Sequence, residues 1–230
     1  MSQLFFFLGK PASGKGTQIK ILQKEIGGVI YSAGDSLKDH IARKTDIGLK
    51  VEQIINQGSF VSDDLICDMF FSFLKENISE EMPNIILVDG FPRTETQYKM
   101  LSSFLSNFHV TNCSYLYFDV EDSFIFERLT NRLVCDACFS PFSMTASSFR
   151  EGDVCLHCLK GKMIRRKDDK IEVMQKRLVD YSVLTAPMID HIKESEKDKF
   201  YVINGERHVE EIYSDIKTIV AKNKIKLKNM

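Results

Sequence analysis

Leu4-Phe5-Phe6-Phe7-Leu8-Gly9-Lys10-Pro11-Ala12-Ser13-Gly14-Lys15-Gly16-Thr17 decides the fold class of this chain. The five leading apolar residues read as a buried β-strand. Residues 18–26 read as a helix, with Ile19, Leu22 and Ile26 on one face and Gly27-Gly28 as its stop. The stretch between them fits the G-x4-G-K core of a phosphate-binding loop, with Gly16 where Ser or Thr is commonest and Thr17 just after. Glycines let backbone N–H groups turn around phosphate oxygens, and the helix starting near Lys15 adds its positive end. Lys15 supplies a mobile cation for the outer phosphates, and Thr17 a hydroxyl near a metal.

Working outward, strand-like runs alternate with helical ones. A short strand is expected at 29–31, and helices near 36–44 and 49–56 before a break at Gly58. Asp63 is expected to cap a helix to about residue 76, with Leu65, Cys67, Met69 and Phe73 inward. Ile85-Ile86-Leu87-Val88 reads as a central parallel strand covered on both faces and ending at Asp89. A helix at 96–108, a strand at 113–118 and a helix from Asp122 to Leu133 follow; the last would set Arg128 and Arg132 on one helical face. The pattern collapses over 134–162, and resumes as helix at 170–192, strand at 200–203 and helix at 209–221, with a frayed basic tail.

This alternation predicts an α/β fold, a doubly wound parallel sheet in one domain over 1–230, with the irregular stretch as an insertion. Ligands in such sheets sit outside the carboxyl ends of the strands, where Gly9 and Asp89 would meet. Asp89 is the second group such a site needs, holding Mg²⁺ or its waters opposite the loop. The pair points to a nucleoside triphosphate and to phosphoryl transfer or hydrolysis.

Composition narrows the class. There are 31 Lys plus Arg against 32 Asp plus Glu, and 43% of residues are hydrophobic. That apolar share excludes bulk disorder, and the balanced charge argues against a broad nucleic-acid footprint. The longest early apolar run falls far short of the roughly 20 residues of a membrane span and lacks the flanks of a signal peptide. A cytoplasmic location is expected by default.

In a reducing compartment the 6 cysteines are expected as thiols. Cys135-x2-Cys138-x16-Cys155-x2-Cys158 lies in the irregular insertion, and two C-x2-C hairpins at this spacing can present four thiolates tetrahedrally. Zinc is expected in preference to iron, and in a structural role, because four cysteines leave no open coordination position. His157 lies between two ligands and, with four cysteines present, is expected beside the site or exposed. Cys67 and Cys113 read as small buried hydrophobes.

The motifs Gly9 to Thr17, Ser32-Ala33-Gly34-Asp35, Asp89-Gly90-Phe91-Pro92-Arg93-Thr94 with Gln97, and Arg166-Lys167-Asp168-Asp169 before Arg177 occur in the order of one family. Through them the chain resembles the adenylate kinases of the long-lid type, over nearly its whole length. The resemblance implies reversible, Mg²⁺-dependent transfer between ATP and AMP to give two ADP, by a monomer that needs no nucleic acid or membrane. It implies a monophosphate-binding flap at 32–61 and a zinc-bearing lid at 131–169. It places ATP against Ala12, Ser13, Gly14, Lys15, Gly16, Thr17, Arg128, Arg132, Pro141, Phe142 and Arg207. It places AMP against Ala33, Lys38, Ser59, Phe60, Val61, Gly90, Phe91, Pro92, Arg93 and Gln97, with Arg93 on the phosphate and Gln97 on the adenine edge. Arg166 and Arg177 would clamp the transferring group.

Guanidinium forks suit these roles, because catalysis of phosphoryl transfer is positioning plus charge neutralisation. Three positions depart from the pattern. Ala12 stands where the family generally has Gly, and a Cβ there is costly if φ is positive. Lys38 stands where an arginine grips the AMP phosphate, keeping charge but losing the fork. Ala33 replaces a Thr beside the monophosphate base, as in UMP/CMP kinases. Rival readings are therefore another monophosphate kinase or a GTP-dependent one, a zinc-ribbon nucleic-acid-binding protein, and a nucleotide-binding regulator without turnover.

Overall fold

The strand expected at residues 4–8 is β1 (Gln3–Gly9), the middle of a five-stranded all-parallel sheet. Its neighbours are β3 (Ile85–Asp89) and β4 (Asn112–Asp119), with β2 (Val29–Ser32) and β8 (Phe200–Asn204) at the edges. The computed structural model describes residues 2–56, 61–78, 84–108, 112–138, 140–145, 149–165 and 169–228, with backbone alone at 55–56 and 224–228. Among these, no helix is long and apolar enough to cross a membrane.

Pleating divides β1 between two cores. Leu4, Phe6 and Leu8 pack on one face with Ile86, Val88, Phe70, Phe91, Tyr98 and Met188. Phe5 and Phe7 pack on the other with Leu22, Phe118, Ile203 and Ile216. Helices α4 (Asp63–Asn77), α5 (Glu95–Asn107) and α8 (Ala186–Ser195) cover the first face; α1 (Lys15–Ile26) and α9 (Val209–Lys228) cover the second. Each fully buried Phe contributes about 1.5–3 kcal/mol by leaving water, which is why the run could not be a surface turn. The register brings Phe7 opposite Asp89 and Ser32 opposite Asp89, so the loops after β1, β2 and β3 open into one crevice.

Two helices, α2 (Ala33–Ala42) and α3 (Asp46–Asn56), follow β2 directly. Ser32 caps α2 by accepting from the Asp35 N–H at 3.3 Å. A separate antiparallel sheet ends one strand at Cys135, with the other three cysteines in the turns and loops beside it: β5 (Arg132–Cys135) lies between β6 (Pro141–Ser143) and β7 (Met163–Ile164).

Four expectations need correction. Helix α6 (Asp122–Thr130) stops before Arg132, which opens β5, so Arg128 and Arg132 do not share a helical face. Leu133 and Val134 are drawn into the small sheet, and that pairing overrides helical spacing. Helix α4 is capped by Ser62 rather than Asp63; it buries Cys67 and Met69 as expected, together with Ile66, Phe70 and Leu74, and leaves Leu65 and Phe73 half-buried, Phe73 still packed on the core. The helix expected at 170–192 is instead α7 (Ile171–Asp180), one π-helical turn at Tyr181–Thr185, and α8. Pro187, in the first turn of α8, lacks the N–H that would continue the α-helical ladder. The basic tail continues α9 to Lys228 instead of fraying at 222.

Candidate active site

The loop after β1 closes on its own lysine. Lys15 Nζ donates to Gly9 O at 2.9 Å, Lys10 O at 2.7 Å and Ser13 Oγ at 3.1 Å. All three ammonium protons thus face the loop interior, where phosphate oxygens would compete for them. Gly14 caps α1 with φ 101, a left-handed conformation that glycine adopts without penalty. Desolvation pushes Lys15 down to about 8; the Asp89 carboxylate opposes this, while Arg93 and Arg177 add to it. Lys15, Asp89, Arg93 and Arg177 therefore form one charged group. Gly16 lies beside them, its missing Cβ falling 3.7 Å from Asp89 Oδ2.

Ala12 does adopt positive φ, at 61. That costs a non-glycine residue about 1–2 kcal/mol. Its methyl packs against a cluster of Val120, Ile125, Leu129 and Met174 at α6 and α7. Ala12 is half-buried, and full burial of a methyl would return about 0.8 kcal/mol, so the strain is offset only in part.

Arg128 lies against the same loop. Its guanidinium donates to Ser13 O at 3.1 Å and Gly205 O at 2.6 Å. Burial lowers its pKa, opposed by Glu206 and Glu127. Lys10 is fixed by Val120 O at 3.0 Å and by Asp122 at 2.7 Å. Arg132 and Arg207 are held in ion pairs outside the charged group: Arg132 grips both oxygens of Asp169, and Arg207 pairs with Asp215 on α9. Thr17 is half-buried on the first turn of α1.

On the other side of the crevice, Arg93 Nε donates to Gly90 O at 2.8 Å. Thr185, in the π-helical turn, donates its hydroxyl to Arg93 O at 2.9 Å. Phe91 and Pro92 are buried beneath, and Ala33 is 4% exposed in the same core as Phe91, with Val61 packed against it. Lys38 is exposed on α2, 3.7 Å from Asp35. Gln97 is buried, its amide joined to the Arg93 N–H and to Asp63. Ser59, Phe60 and Arg166 lie outside the described residues.

The four cysteines of the insertion converge. Their Sγ atoms all lie within 4.8 Å of one another, with Cys135 to Cys158 at 3.6 Å and Cys138 to Cys155 at 3.7 Å. Four thiolates tetrahedral about zinc at about 2.3 Å stand roughly 3.8 Å apart, so the donor set fits a structural metal. The turns are built for ligation. Cys135 Sγ accepts from the Ala137 and Cys138 N–H groups at 3.4 Å each, and Cys158 Sγ accepts from Gly161 N–H at 3.5 Å. A Cβ on Gly161 would come within 2.4 Å of Cys135 Sγ, so only glycine passes there. The Ser140 hydroxyl pulls Cys138 down to about 5, whereas burial pushes Cys135 up to about 11. His157 stands beside the quartet, its Nδ1 3.4 Å from Ser140 Oγ. Phe142 packs edge-on against Phe149 at 5.0 Å, and Pro141 is exposed.

Sequence reasoning missed Asp63, read only as a helix cap, although Thr94-x2-Gln97 has the capping-box spacing that flags an engaged amide. A family model described as adenylate kinase matches residues 7–197. The chain is 34% identical over 218 residues to an adenylate kinase of Hydrogenobaculum sp. (strain Y04AAS1), covering 94% of this chain and 100% of that one. It is 32% identical over 209 residues to one of Clostridium novyi (strain NT), covering 91% and 94%. It is 31% identical over 220 residues to one of Rickettsia conorii (strain ATCC VR-613 / Malish 7), covering 96% and 100%.

Proposed function

The chain belongs to the adenylate kinase family, and on that premise we propose that it catalyses ATP + AMP = 2 ADP at the crevice between the β1 loop and Arg93. The observation that carries this is the meeting of Lys15 and Asp89 at the carboxyl ends of β1 and β3, where the charges of Arg93 and, from α7, Arg177 act on Lys15.

Residues of the β1 loop from Ala12 to Thr17 bind the triphosphate through backbone N–H groups, with Lys15 on the outer phosphates. Arg93 holds the AMP phosphate, and Arg177 bridges it to the transferring group; the monophosphate is already anionic, so no general base is required. Asp89 and Thr17 offer the hard oxygen donors that Mg²⁺ prefers. Bound there, the ion neutralises phosphate charge. Residues 32–61 act as a flap over the monophosphate and 131–169 as a lid over ATP, and their closure excludes water that would hydrolyse the donor. Arg132 and Arg207 reach the ATP side only by leaving their carboxylate partners. Zinc is the structural ion of the lid. The protein acts as a monomer in the cytoplasm on soluble nucleotides.

A coupled ADP assay over a panel of monophosphates, with ATP and GTP as donors, tests the reading. ADP from ATP and AMP is expected, and turnover of UMP or CMP in preference to AMP would overturn it. Lys38→Arg is expected to lower the KM for AMP by about fivefold, because the guanidinium restores a two-pronged phosphate contact worth roughly 1 kcal/mol. An unchanged or raised KM removes Lys38 from the AMP site.

A further inference from the structure

The amide of Gln97 has only one permitted orientation. Its Oε1 accepts from the Arg93 backbone N–H at 2.8 Å, and its Nε2 donates to Asp63 Oδ1 at 2.7 Å. A side-chain amide is oriented by the partners it must satisfy. Here one partner is only a donor and the other, a carboxylate, only an acceptor. Turning the amide over would set N–H against N–H at Arg93 and oxygen against oxygen at Asp63. Asp63 is itself held, since its Oδ2 accepts from the Thr94 hydroxyl at 2.9 Å. Thr94 caps α5 by accepting from the Gln97 N–H at 3.1 Å. The amide is thus clamped between two helix starts that are distant in sequence.

We propose that Asp63 is a positioning residue that sets the hydrogen-bond polarity of Gln97, and so selects a 6-aminopurine monophosphate over a 6-oxopurine one. The inference rests on the proposed function, in which Gln97 reads the base. Two engagements leave the amide one N–H and one oxygen lone pair. Adenine presents a ring-nitrogen acceptor beside an amino donor, which match an N–H and a carbonyl oxygen in turn. A 6-oxopurine presents the reverse, a ring N–H beside a carbonyl, and would need the amide turned over. Mispaired polar groups in a closed site are heavily penalised, which makes a locked amide a selective one. Arg93 joins both tasks, since its guanidinium is assigned to the phosphate while its backbone N–H helps to lock the base reader.

The test compares AMP with IMP at saturating ATP in the full-length zinc-loaded protein. Asp63→Leu is expected to raise the KM for AMP about ten- to a hundredfold and to lower the AMP-to-IMP ratio of kcat/KM by a similar factor. The KM for ATP should stay within about twofold. Asp63→Asn, which can still accept from Gln97 but can also donate to a turned-over amide, should lower the ratio less than Asp63→Leu. Should Asp63→Leu fail to fold, Asp63→Ser keeps a polar group at the start of α4 but cannot reach the amide, and carries the same expectation. An unchanged AMP-to-IMP ratio in the folded variant, or equal losses for ATP and AMP, overturns the role of Asp63. A wild-type protein that makes no ADP from AMP overturns instead the function on which it rests.

Discussion

Lys15→Met is expected to lower kcat about 10²–10³-fold while the sheet stays folded, the loss typical of removing one preorganised donor to developing charge. Methionine keeps the length and apolar stem of the side chain but supplies none of the three donors now directed at Gly9 O, Lys10 O and Ser13 Oγ. The wild-type protein carries a second signature. Desolvation holds Lys15 down to about 8, and only the protonated amine attracts the triphosphate. The kcat/KM for ATP, which reports the free enzyme, should therefore fall as pH rises through about 8. In Lys15→Met that alkaline limb should vanish. A variant within about tenfold of wild type, or one that keeps the limb, would remove Lys15 from the transfer step.

Metal removal is the second large effect. The proposed lid has its own small core of Leu133, Cys135, Cys155 and Met163, and two of these four residues are proposed ligands. Apparent binding energies of structural zinc, about 10–16 kcal/mol in isolated finger peptides, exceed what so few apolar residues contribute. The protein should hold one zinc per chain. Chelation, or Cys155→Ser, should abolish a separate lid transition in calorimetry while the transition of the parallel sheet survives. Turnover should fall with it, because an unfolded lid cannot exclude water. An identical melting profile before and after chelation would show that the lid folds without metal.

The features legible in the sequence are those written locally. β1 and its loop combine an uninterrupted apolar run with glycines at fixed spacing, and the cysteine quartet is measured out by the chain itself. Less was legible where several local readings compete. In α4, Phe70, Phe71 and Phe73 spread apolar character around the helix, so the spacing correctly marks Cys67 and Met69 as inward but misses Ile66, Phe70 and Leu74. The boundary at 130–132 was hidden because residues 122–133 suit a helix, and only pairing with β6 turns Arg132 and Leu133 into strand. The Asp63–Gln97 and Arg132–Asp169 contacts join residues 34 and 37 positions apart. No periodicity encodes contacts of that range; they exist only once the helices and the lid are assembled.

Ala12 carries a consequence of another kind. A left-handed alanine is tolerated because Ile125, Leu129 and Met174 already offer it apolar company. Without those neighbours an alanine would meet the strain undiminished, and Ala12→Gly would strip them of a partner. The loop and the two helices are therefore thermodynamically coupled: a change in one shifts the cost of a change in the other.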